Sequence, residues 1–441
     1  MGTTARGRRR HDREIARLAI PALGALIAQP LYTLADTAVV GNIGTDELAG
    51  LAVATSALLT GFAVFIFLAY GTTAAVARLL GAGRDDDAAV QALQGLWLAV
   101  GIGVVVGAVV AVGAGPIVAM LGAQGAVFDN AELYLRISAL GVPAQLLTFA
   151  GTGYLRGLQD TKTPLAVAVA AAVGNLVLEL VLIVGLGFGI GASALSTVVA
   201  EVATAAVYVT MIRREIRRRG LSWRPDVAAI RRLGRAGADL LVRTLALRGA
   251  LTLATAVAAR IGTTDVAAHE IAFAVWSLLA LALDAIAIAG QSLIGRHLGA
   301  GRPDTAREAG HRMLELGVAA GLVSALVVVV LRPVLPEIFS NDPAVVSLAG
   351  FVLLWVAVLQ PVNALAFVLD GLLIGAGDMR FLAVAMLGAL GATVPAAVAV
   401  LVLDLGIGWV WGAVAVLMVS RASVLALRWR SGAWAVTGAE R

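Results

Sequence analysis

The stretch "RLLGAGRDD" at residues 78–86 returns almost unchanged as "RHLGAGRPD" at residues 296–304. The same spacing of 218 residues, from 78 to 296, aligns "IGTDELAG" at 43–50 with "IGTTDVAA" at 261–268. The alignment needs no gap over about 120 residues, a length that predicts an internal duplication. Each half of the chain is therefore expected to fold as one copy of a repeated unit.

The composition indicates a protein that lies within a membrane. The chain has 441 residues, of which 60% are apolar and only 14% are charged, and its mean hydropathy is +0.92. A water-soluble protein of this size needs more polar residues to cover its surface. The basic N-terminus leads into a hydrophobic segment without a small-residue cleavage site, so we expect the first span to be retained. The absence of Cys excludes disulfides, thiolate metal sites and Cys nucleophiles.

Twelve apolar stretches are long enough to cross a bilayer, which takes about 20 helical residues. A long Arg-rich segment separates the first six from the last six. Because six is an even number, both copies enter the membrane from the same face, and we expect an all-α polytopic protein of two parallel six-helix lobes around a central cavity. The predicted spans are 17–39, 48–77, 91–115, 131–155, 163–185, 190–212, 235–258, 266–295, 309–331, 345–374, 381–403 and 408–428.

Lys and Arg residues predict the orientation of these spans. In the loops on one side we find only Arg260 and Arg332, whereas most of the others fall in the tails and the loops of the opposite side. The positive-inside rule then places both termini in the cytoplasm. The rule also accounts for the net charge of +5, so we expect no nucleic-acid binding. The expected parts are a tail at 1–16, a lobe at 17–212, a cytoplasmic linker at 213–234, a second lobe at 235–428 and a tail at 429–441.

Span 1 carries a carboxylate, Asp36, on a polar stripe. Gln29, Tyr32, Thr33 and Asp36 follow at i, i+3, i+4 and i+7, so they share one helix face that cannot point at lipid. A charge at the bilayer centre costs on the order of 3 kcal/mol, so such an acid faces a cavity, holds a proton or pairs with a cation. The alternative is an acid that only bonds neighbouring helices.

The repeat favours a specialised site, because the second copy has alanine where Asp36 stands. Asn175 and Glu179 are spaced i, i+4 in span 5, so they share a face. With Ser193 and Thr197 of span 6 they can converge with Asp36 on a small polar chamber. A buried carboxyl beside a second acid retains a proton more readily than one in water, which suits proton uptake and release. We therefore expect Asp36 to accept a proton or a cation.

The second lobe has acids of its own. Asp284 lies in span 8, and Asn363 and Asp370 are seven residues apart on one face of span 10. We expect these polar side chains to face the interior of the lobe. Asp284 and Asp370 have no acidic repeat mates, which fits substrate cations or a second protonation site. Alternatively, they pair with Arg243 or Arg248 of span 7.

Other candidates are weaker. Glu201 follows Thr197 by one turn, and it either completes the polar stripe of span 6 or bonds a neighbouring helix. The four His residues are too scattered for a metal site, and no HExxH, GxSxG or nucleotide-binding lysine motif is present. The sequence therefore shows no nucleophile or metal constellation that would indicate an intramembrane enzyme. It also shows no sizeable extramembrane domain that would indicate a receptor scaffold.

Several motifs together resemble one known family. "LADTAVVGNIG" in span 1, "LGAGR" after spans 2 and 8 and "LDGLLIGAGD" at 369–378 resemble the multidrug and toxic compound extrusion (MATE) transporters, and within them the bacterial DinF branch. The resemblance covers residues 15 to 430. It implies a V-shaped transporter of the bacterial cytoplasmic membrane that exports bulky, often cationic or amphipathic compounds and takes up H⁺ or Na⁺.

The resemblance also implies a coupling site in the first lobe. It maps onto Asp36, Asn175, Glu179, Thr197 and Tyr134, and many relatives have Asp where this chain has Glu179. The implied ligands are small-molecule substrates and membrane lipids. The expected cofactor is none beyond the coupling ion, with Na⁺ possible at the first four of these residues, and the expected assembly is a monomer.

Two choices remain open at this point. A lipid-linked precursor flippase shares the two-lobed design, and the low aromatic content is compatible with a lipid-like ligand. However, a flippase of anionic pyrophosphate lipids should line its cavity with Lys and Arg, whereas the acids within these spans outnumber the cations. For coupling, H⁺ is favoured over Na⁺, because a proton requires only a carboxyl whereas Na⁺ prefers a cage of several oxygens.

Overall fold

The computed structural model describes residues 5–439, with side chains from Arg8 onward, so the outermost parts of the two expected tails, 1–4 and 440–441, lie outside it. The described chain is helical and contains no strand. A π-helical segment, Leu180–Gly185, continues the seventh helix. The helices of the first half are α1 (Ala5–Val40), α2 (Thr45–Phe65), α3 (Phe67–Gly81), α4 (Asp85–Met120), α5 (Gly125–Ser138), α6 (Val142–Gly157), α7 (Lys162–Glu179) and α8 (Ile190–Arg218).

The second half contains longer uninterrupted helices. A single helix covers the stretch equivalent to α2 and α3, and another covers the stretch equivalent to α5 and α6. The helices are α9 (Val227–Ile261), α10 (Thr263–Gly299), α11 (Pro303–Leu331), α12 (Pro343–Gly375), α13 (Met379–Val402) and α14 (Ile407–Ser431), with a short 3₁₀ helix at Pro336–Ile338.

Helix boundaries repeat with the spacing seen in the sequence. Helix α4 begins at Asp85 and α11 at Pro303, which is the spacing from 78 to 296. Each follows a turn whose glycine, Gly83 or Gly301, has a φ of 72° or 68°. A glycine adopts this left-handed conformation without steric cost, so the same turn ends a helix in both halves.

The expectation of twelve spans is confirmed. Among the described residues, eleven helical segments are long and apolar enough to cross a membrane, and the pair α5 and α6 provides the twelfth. This pair is bent by 52°. Pro143, which lies just after the bend, and its repeat mate Pro361, inside continuous α12, both lack an N–H to donate. A proline at this position is therefore not sufficient to break the helix, because α12 continues through Pro361 as one helix.

The chain forms two compact units whose boundaries differ from those expected. One unit, called the N-terminal unit below, is Gly24–Gly237. The other, called the C-terminal unit, contains the described residues up to Leu23 and from Ala238 onward. The start of α1 thus packs with the C-terminal unit rather than with the first lobe. The reason lies in the contacts of this segment, since Arg312 of α11 binds both carboxylate oxygens of Asp12 at 2.6 and 3.1 Å.

The linker between the halves is shorter than expected. Residues 213–218 belong to α8, and α9 begins at Val227, so 219–226 is the non-helical part. Helix α8 continues because Ile212 and Ile216 remain buried on one face while Arg219 pairs with Glu215 one turn away. The linker backbone is held by α4, where Gln94 accepts a 2.8 Å hydrogen bond from the N–H of Asp226.

Glycines allow equivalent helix crossings in both halves. In the first half, a Cβ on Gly153 of α6 would stand 2.5 Å from the carbonyl oxygen of Ala69 in α3. In the second half, a Cβ on Gly371 of α12 would stand 2.6 Å from the same atom of Ala287 in α10. Small residues permit this close backbone approach between membrane helices. In the first half, the hydroxyl of Thr73 in α3 donates a 3.2 Å hydrogen bond to the carbonyl of Gly153 at this crossing.

Candidate functional site

Asp36 lies on α1 inside the N-terminal unit. The residue is only 4% exposed. Its Oδ1 accepts a 2.9 Å hydrogen bond from the hydroxyl of Ser193 on α8. A carboxylate in such a position has left water with one neutral donor in place of its hydration shell, which is unfavourable for a permanent charge. Asp36 is therefore a group for which binding a proton or a cation has a large effect.

Glu179 is the second carboxyl of this site. It ends α7 where the helix widens into the π-helical turn, a feature that frequently marks functional positions. Glu179 is fully buried, and the polar side chains nearest to its carboxyl group are those of Asp36 and Ser193. Neither of its oxygens has a hydrogen-bond partner among the described residues. Two acids thus share one buried region, and a proton on either one relieves their repulsion.

A row of hydroxyl and amide groups adjoins the acids. The hydroxyl of Tyr32 lies 2.8 Å from that of Thr197 and accepts a 3.2 Å hydrogen bond from the amide of Asn175. Tyr134 of α5 is buried beside Asp36 and Thr197. The structure therefore brings together all five residues of the predicted coupling site. Their role in coupling stays a prediction.

A cavity of about 190 Å³ opens beside this cluster. Gln29, Tyr32 and Thr33, the residues of span 1 expected to face a substrate cavity, line it. Their role in substrate binding stays a prediction. Ser193 does not line the cavity, because it is buried behind Asp36 and bonded to it. The lining comes from α1, α2, α5, α6, α7 and α8, and its other polar members are Asp36, Thr55, Tyr134, Gln145, Thr148, Asn175, Thr197, Glu201 and Thr204.

An apolar cavity adjoins the polar one. It has a volume of about 300 Å³ and lies between α7 and α8. The two cavities share Ala171, Asn175, Ala200 and Thr204. Most of its other lining residues are Val, Ala and Leu. The site therefore offers charged and apolar surfaces side by side.

Asp370 belongs to the C-terminal unit and is paired with arginines. The Nε of Arg243 donates a 3.1 Å hydrogen bond to Oδ1, and its Nη2 contacts Oδ2. Arg421 of α14 lies 3.2 Å from Oδ1 and stacks over Phe367 at 5.0 Å. Pairing with Arg243, the alternative to a substrate role for Asp370, is thus what the structure shows. With both oxygens held, Asp370 is not available to a substrate cation here.

The other two predicted residues of the second lobe also lie in the C-terminal unit. Asp284 is half-buried and contributes to the electrostatic environment of Arg421. Asn363 is buried, and its side-chain amide has no hydrogen-bond partner among the described residues. Their role in substrate binding stays a prediction.

The sequence interpretation did not single out two kinds of residue. Arg421 lies in the middle of the last predicted span, and an arginine between apolar residues is itself the signal of a buried partner. Gln145 and Thr148 line the cavity from α6, but isolated polar residues in a long apolar helix give no periodic signal. Among the described residues, no three His, Asp or Glu side chains are placed to hold a metal ion together.

Comparison with known proteins extends these findings. The MatE family model matches residues 21–181 and 242–399. The chain is 30% identical to DNA damage-inducible protein F of Escherichia coli (strain K12), over 96% of this chain and 94% of that protein. It is 34% identical to Protein DETOXIFICATION 44, chloroplastic, of Arabidopsis thaliana, over 85% of this chain and 74% of that protein.

Solved structures show the same fold. A MOP superfamily transporter from Pyrococcus furiosus matches with a TM-score of 0.85 and 22% identity, over 96% of this chain and 95% of that one. An outward-facing multidrug resistance MATE family transporter matches with a TM-score of 0.83 and 21% identity over the same shares. These similarities confirm the predicted all-helical fold.

Proposed function

This chain belongs to the MatE family of membrane transporters, and we propose that it exports cationic or amphipathic compounds from the bacterial cytoplasm in exchange for H⁺. The observation that carries the proposal is the pair of buried acids, Asp36 and Glu179, beside a cavity. An exchanger needs a group that binds the driving ion on one side of the membrane and releases it on the other. A carboxyl pair whose repulsion depends on protonation supplies such a group.

The hydrogen bonds around the acids support H⁺ over Na⁺. A sodium site in a protein needs several oxygen ligands directed at one point. Here the hydroxyls of Tyr32 and Thr197 are bonded to each other, and the amide nitrogen of Asn175 donates to Tyr32. Protonation requires only one carboxyl oxygen that no donor already occupies, and Glu179 has both oxygens without a partner among the described residues. The proton is therefore the coupling ion that this geometry suits better.

Protonation has a direct structural consequence at Asp36. Oδ1 holds the hydroxyl of Ser193, which links α1 to α8. A proton on Asp36 removes its charge, so this charge-assisted bond becomes a weaker neutral one. Helix α1 then gains freedom to repack, and a change in α1 alters the cavity, since Gln29, Tyr32 and Thr33 lie on the same helix. Proton binding and cargo binding are thereby coupled through one helix.

The lining of the cavity supports a positively charged or amphipathic cargo. Two carboxyl groups, those of Asp36 and Glu201, face it, and its lining among the described residues contains no Lys or Arg. A lipid-linked pyrophosphate requires cationic groups, so the flippase alternative finds no support in this cavity. The adjoining apolar cavity offers surface for the hydrophobic part of an amphipathic molecule.

Location and assembly follow as parts of the proposal. The Arg-rich linker and the basic start of the chain favour both termini on the cytoplasmic side of the bacterial inner membrane. Both acids and all lining residues of the cavity come from the single unit Gly24–Gly237. The site needs no residue from a second copy, which supports a monomer as the functional form.

Ethidium transport in proteoliposomes tests which ion drives the exchange. The purified chain is reconstituted, and efflux of ethidium is measured under a proton gradient alone and under a sodium gradient alone. Efflux driven by the proton gradient and unaffected by replacing Na⁺ with choline is expected. Efflux that persists after the proton gradient is collapsed, but stops without Na⁺, contradicts the assignment of H⁺. Vesicles that move a lipid-linked pyrophosphate but not ethidium contradict the cargo class.

A further inference from the structure

Glu201 is an acid of the cavity that the coupling site does not use. It lies on α8, one turn after Thr197 and two turns after Ser193, on the same face of the helix. Its side chain lines the cavity, and among the described residues it forms no hydrogen bond or ion pair. Eight residues of helix separate Glu201 from Ser193, the partner of Asp36, a distance of about 12 Å along the axis. Glu201 is therefore attached to α8 about two helical turns from the residue that holds Asp36.

An unpartnered carboxylate in this position requires an explanation. Carboxylates removed from water are normally paired with a cation or with several donors, because the cost of desolvation is otherwise large. Asp370, inside α12, follows that rule, since it is bound by Arg243 and approached by Arg421. Asp36 and Glu179 are the acids already assigned to proton coupling. Nothing in the described chain supplies such a cation to Glu201, whereas the cavity gives a ligand access to it.

The fold reserves space for this carboxylate. A Cβ on Gly141 would lie closer to Oε2 of Glu201 than van der Waals contact permits. Gly141 lies in the break between α5 and α6, where the chain bends by 52°. The repeat mate of Gly141 is Leu359, inside continuous α12, and apolar Met418 and Val419 stand where the second half would place the acid. The glycine, the bend and the acid thus occur together in one half and are absent together from the other.

We propose that Glu201 binds the positively charged group of the cargo, so that cargo and proton have separate carboxyls in the same cavity. Gln145 and Thr148 of α6 and Thr204 of α8 line the same cavity and provide neutral hydrogen-bonding groups. Leu58, Leu59 and Phe62 of α2 provide its apolar surface. The combination fits an ammonium group that carries apolar or aromatic substituents. This inference rests on the proposed export of cations and names the residue that recognises them.

Equilibrium binding tests the inference without transport. The full chain in lipid nanodiscs is titrated with benzyltrimethylammonium, a permanent cation, at pH 8.5 to keep proton competition small. Glu201→Gln keeps the shape of the side chain and removes its charge, so we expect at least about tenfold weaker binding, or 1.4 kcal/mol. The matched control is Glu270→Gln, which makes the same change at an exposed residue of α10 in the other unit. The control is expected to bind the cation as the wild type does.

A second variant covers the case in which Glu201→Gln does not fold. Gly141→Ala leaves the acid in place but puts a methyl group where its oxygen lies, so the carboxylate must move and cation binding must weaken. Unchanged affinity in both variants overturns the inference, and so does the absence of saturable binding to the wild type. Equal weakening by Glu270→Gln overturns it as well.

Asp36→Asn distinguishes this inference from the proposed function. We expect this variant to keep saturable binding of the cation, because Glu201 is intact, and to lose proton-driven efflux, because the amide at position 36 cannot take up a proton. If Glu201→Gln binds normally and Asp36→Asn is inactive, cargo recognition by Glu201 fails and proton coupling stands. If Glu201→Gln loses binding and Asp36→Asn transports normally, the coupling proposal fails and the cargo site stands.

Discussion

The hydroxyl of Ser193 donates a 2.9 Å hydrogen bond to Asp36, and this bond joins α8 to α1 within the N-terminal unit. Helix α8 carries Thr197 and Glu201 on the same face, and α1 carries Gln29 and Tyr32. A change in the charge of Asp36 therefore acts on two of the helices that line the cavity.

Asp36→Asn is expected to lower proton-driven efflux by more than about tenfold at a normal protein level, because the amide keeps the shape of the side chain but does not titrate. Efflux of ethidium from proteoliposomes, normalised to folded protein, measures the effect. Asp46→Asn, at an exposed position at the start of α2, is the control and should transport like the wild type. Full activity of Asp36→Asn would show that this acid only bonds helices.

Glu179→Asp should retain more transport than Glu179→Gln. The Asp variant keeps a carboxyl and withdraws it by about 1.5 Å, the length of one carbon–carbon bond, whereas the Gln variant cannot take up a proton. Initial efflux rates of the two variants, measured under the same proton gradient, separate charge from geometry. If the Gln variant transports as fast as the wild type, Glu179 contributes to packing alone.

Asp370→Asn is expected to destabilise the protein by about 3 kcal/mol, because it leaves Arg243 and Arg421 in the core without their counter-charge. Thermal unfolding in detergent measures the loss. The double variant Asp370→Asn with Arg243→Gln removes one charge of each sign and should recover part of the stability. Protein that survives should still show proton-driven efflux, since the pair lies in the other unit from Asp36. A melting temperature equal to that of the wild type contradicts a structural role for the pair.

Gly153→Ala should destabilise the N-terminal unit, because the added methyl group meets the carbonyl of Ala69 at 2.5 Å. Gly101→Ala, in α4, provides the control, since no atom lies within 4 Å of its added methyl group. In an open helical position alanine is more favourable than glycine by about 1 kcal/mol, so this control should be neutral or stabilising. The melting temperature of Gly153→Ala should therefore be lower than that of the wild type, and the melting temperature of Gly101→Ala should be equal to it or higher. Equal shifts contradict the close crossing of α6 and α3.

Gln94→Leu should make the linker accessible to proteases. Gln94 accepts a hydrogen bond from the N–H of Asp226 and donates one to the carbonyl of Arg224, so the substitution releases two backbone groups of the linker. Faster cleavage after Arg219 in limited trypsin digestion is the expected result. Gln91→Leu, one turn earlier on α4, changes a half-buried glutamine whose side chain forms no hydrogen bond to the linker among the described residues, and it should digest at the wild-type rate. Equal rates for both variants mean that Gln94 does not hold the linker.

Much of the architecture could be predicted because it depends on local periodicity and composition. The repeated "LGAGR" turn predicted where α4 and α11 begin, and the apolar stretches predicted twelve spans. The i, i+4 spacing of Asn175 and Glu179 placed both on one face of α7. The apolar periodicity did not indicate where the helix before the linker ends, because pairing of Arg219 with Glu215 extends α8 beyond the apolar stretch that defined the span.

The sequence by itself determined the duplicated halves, the helices and the faces on which their acids lie, since each of these depends on residues within a few turns of one another. Only the tertiary structure decided which acids are neutralised and which remain available. Asp370 pairs with Arg243, which lies 127 positions away in the sequence. Glu201 instead lies against Gly141 and has no cation beside it among the described residues. These differences depend on how each helix is rotated and where it crosses its neighbours. Side-chain packing between distant segments sets that rotation, and the periodicity of a single helix does not record it.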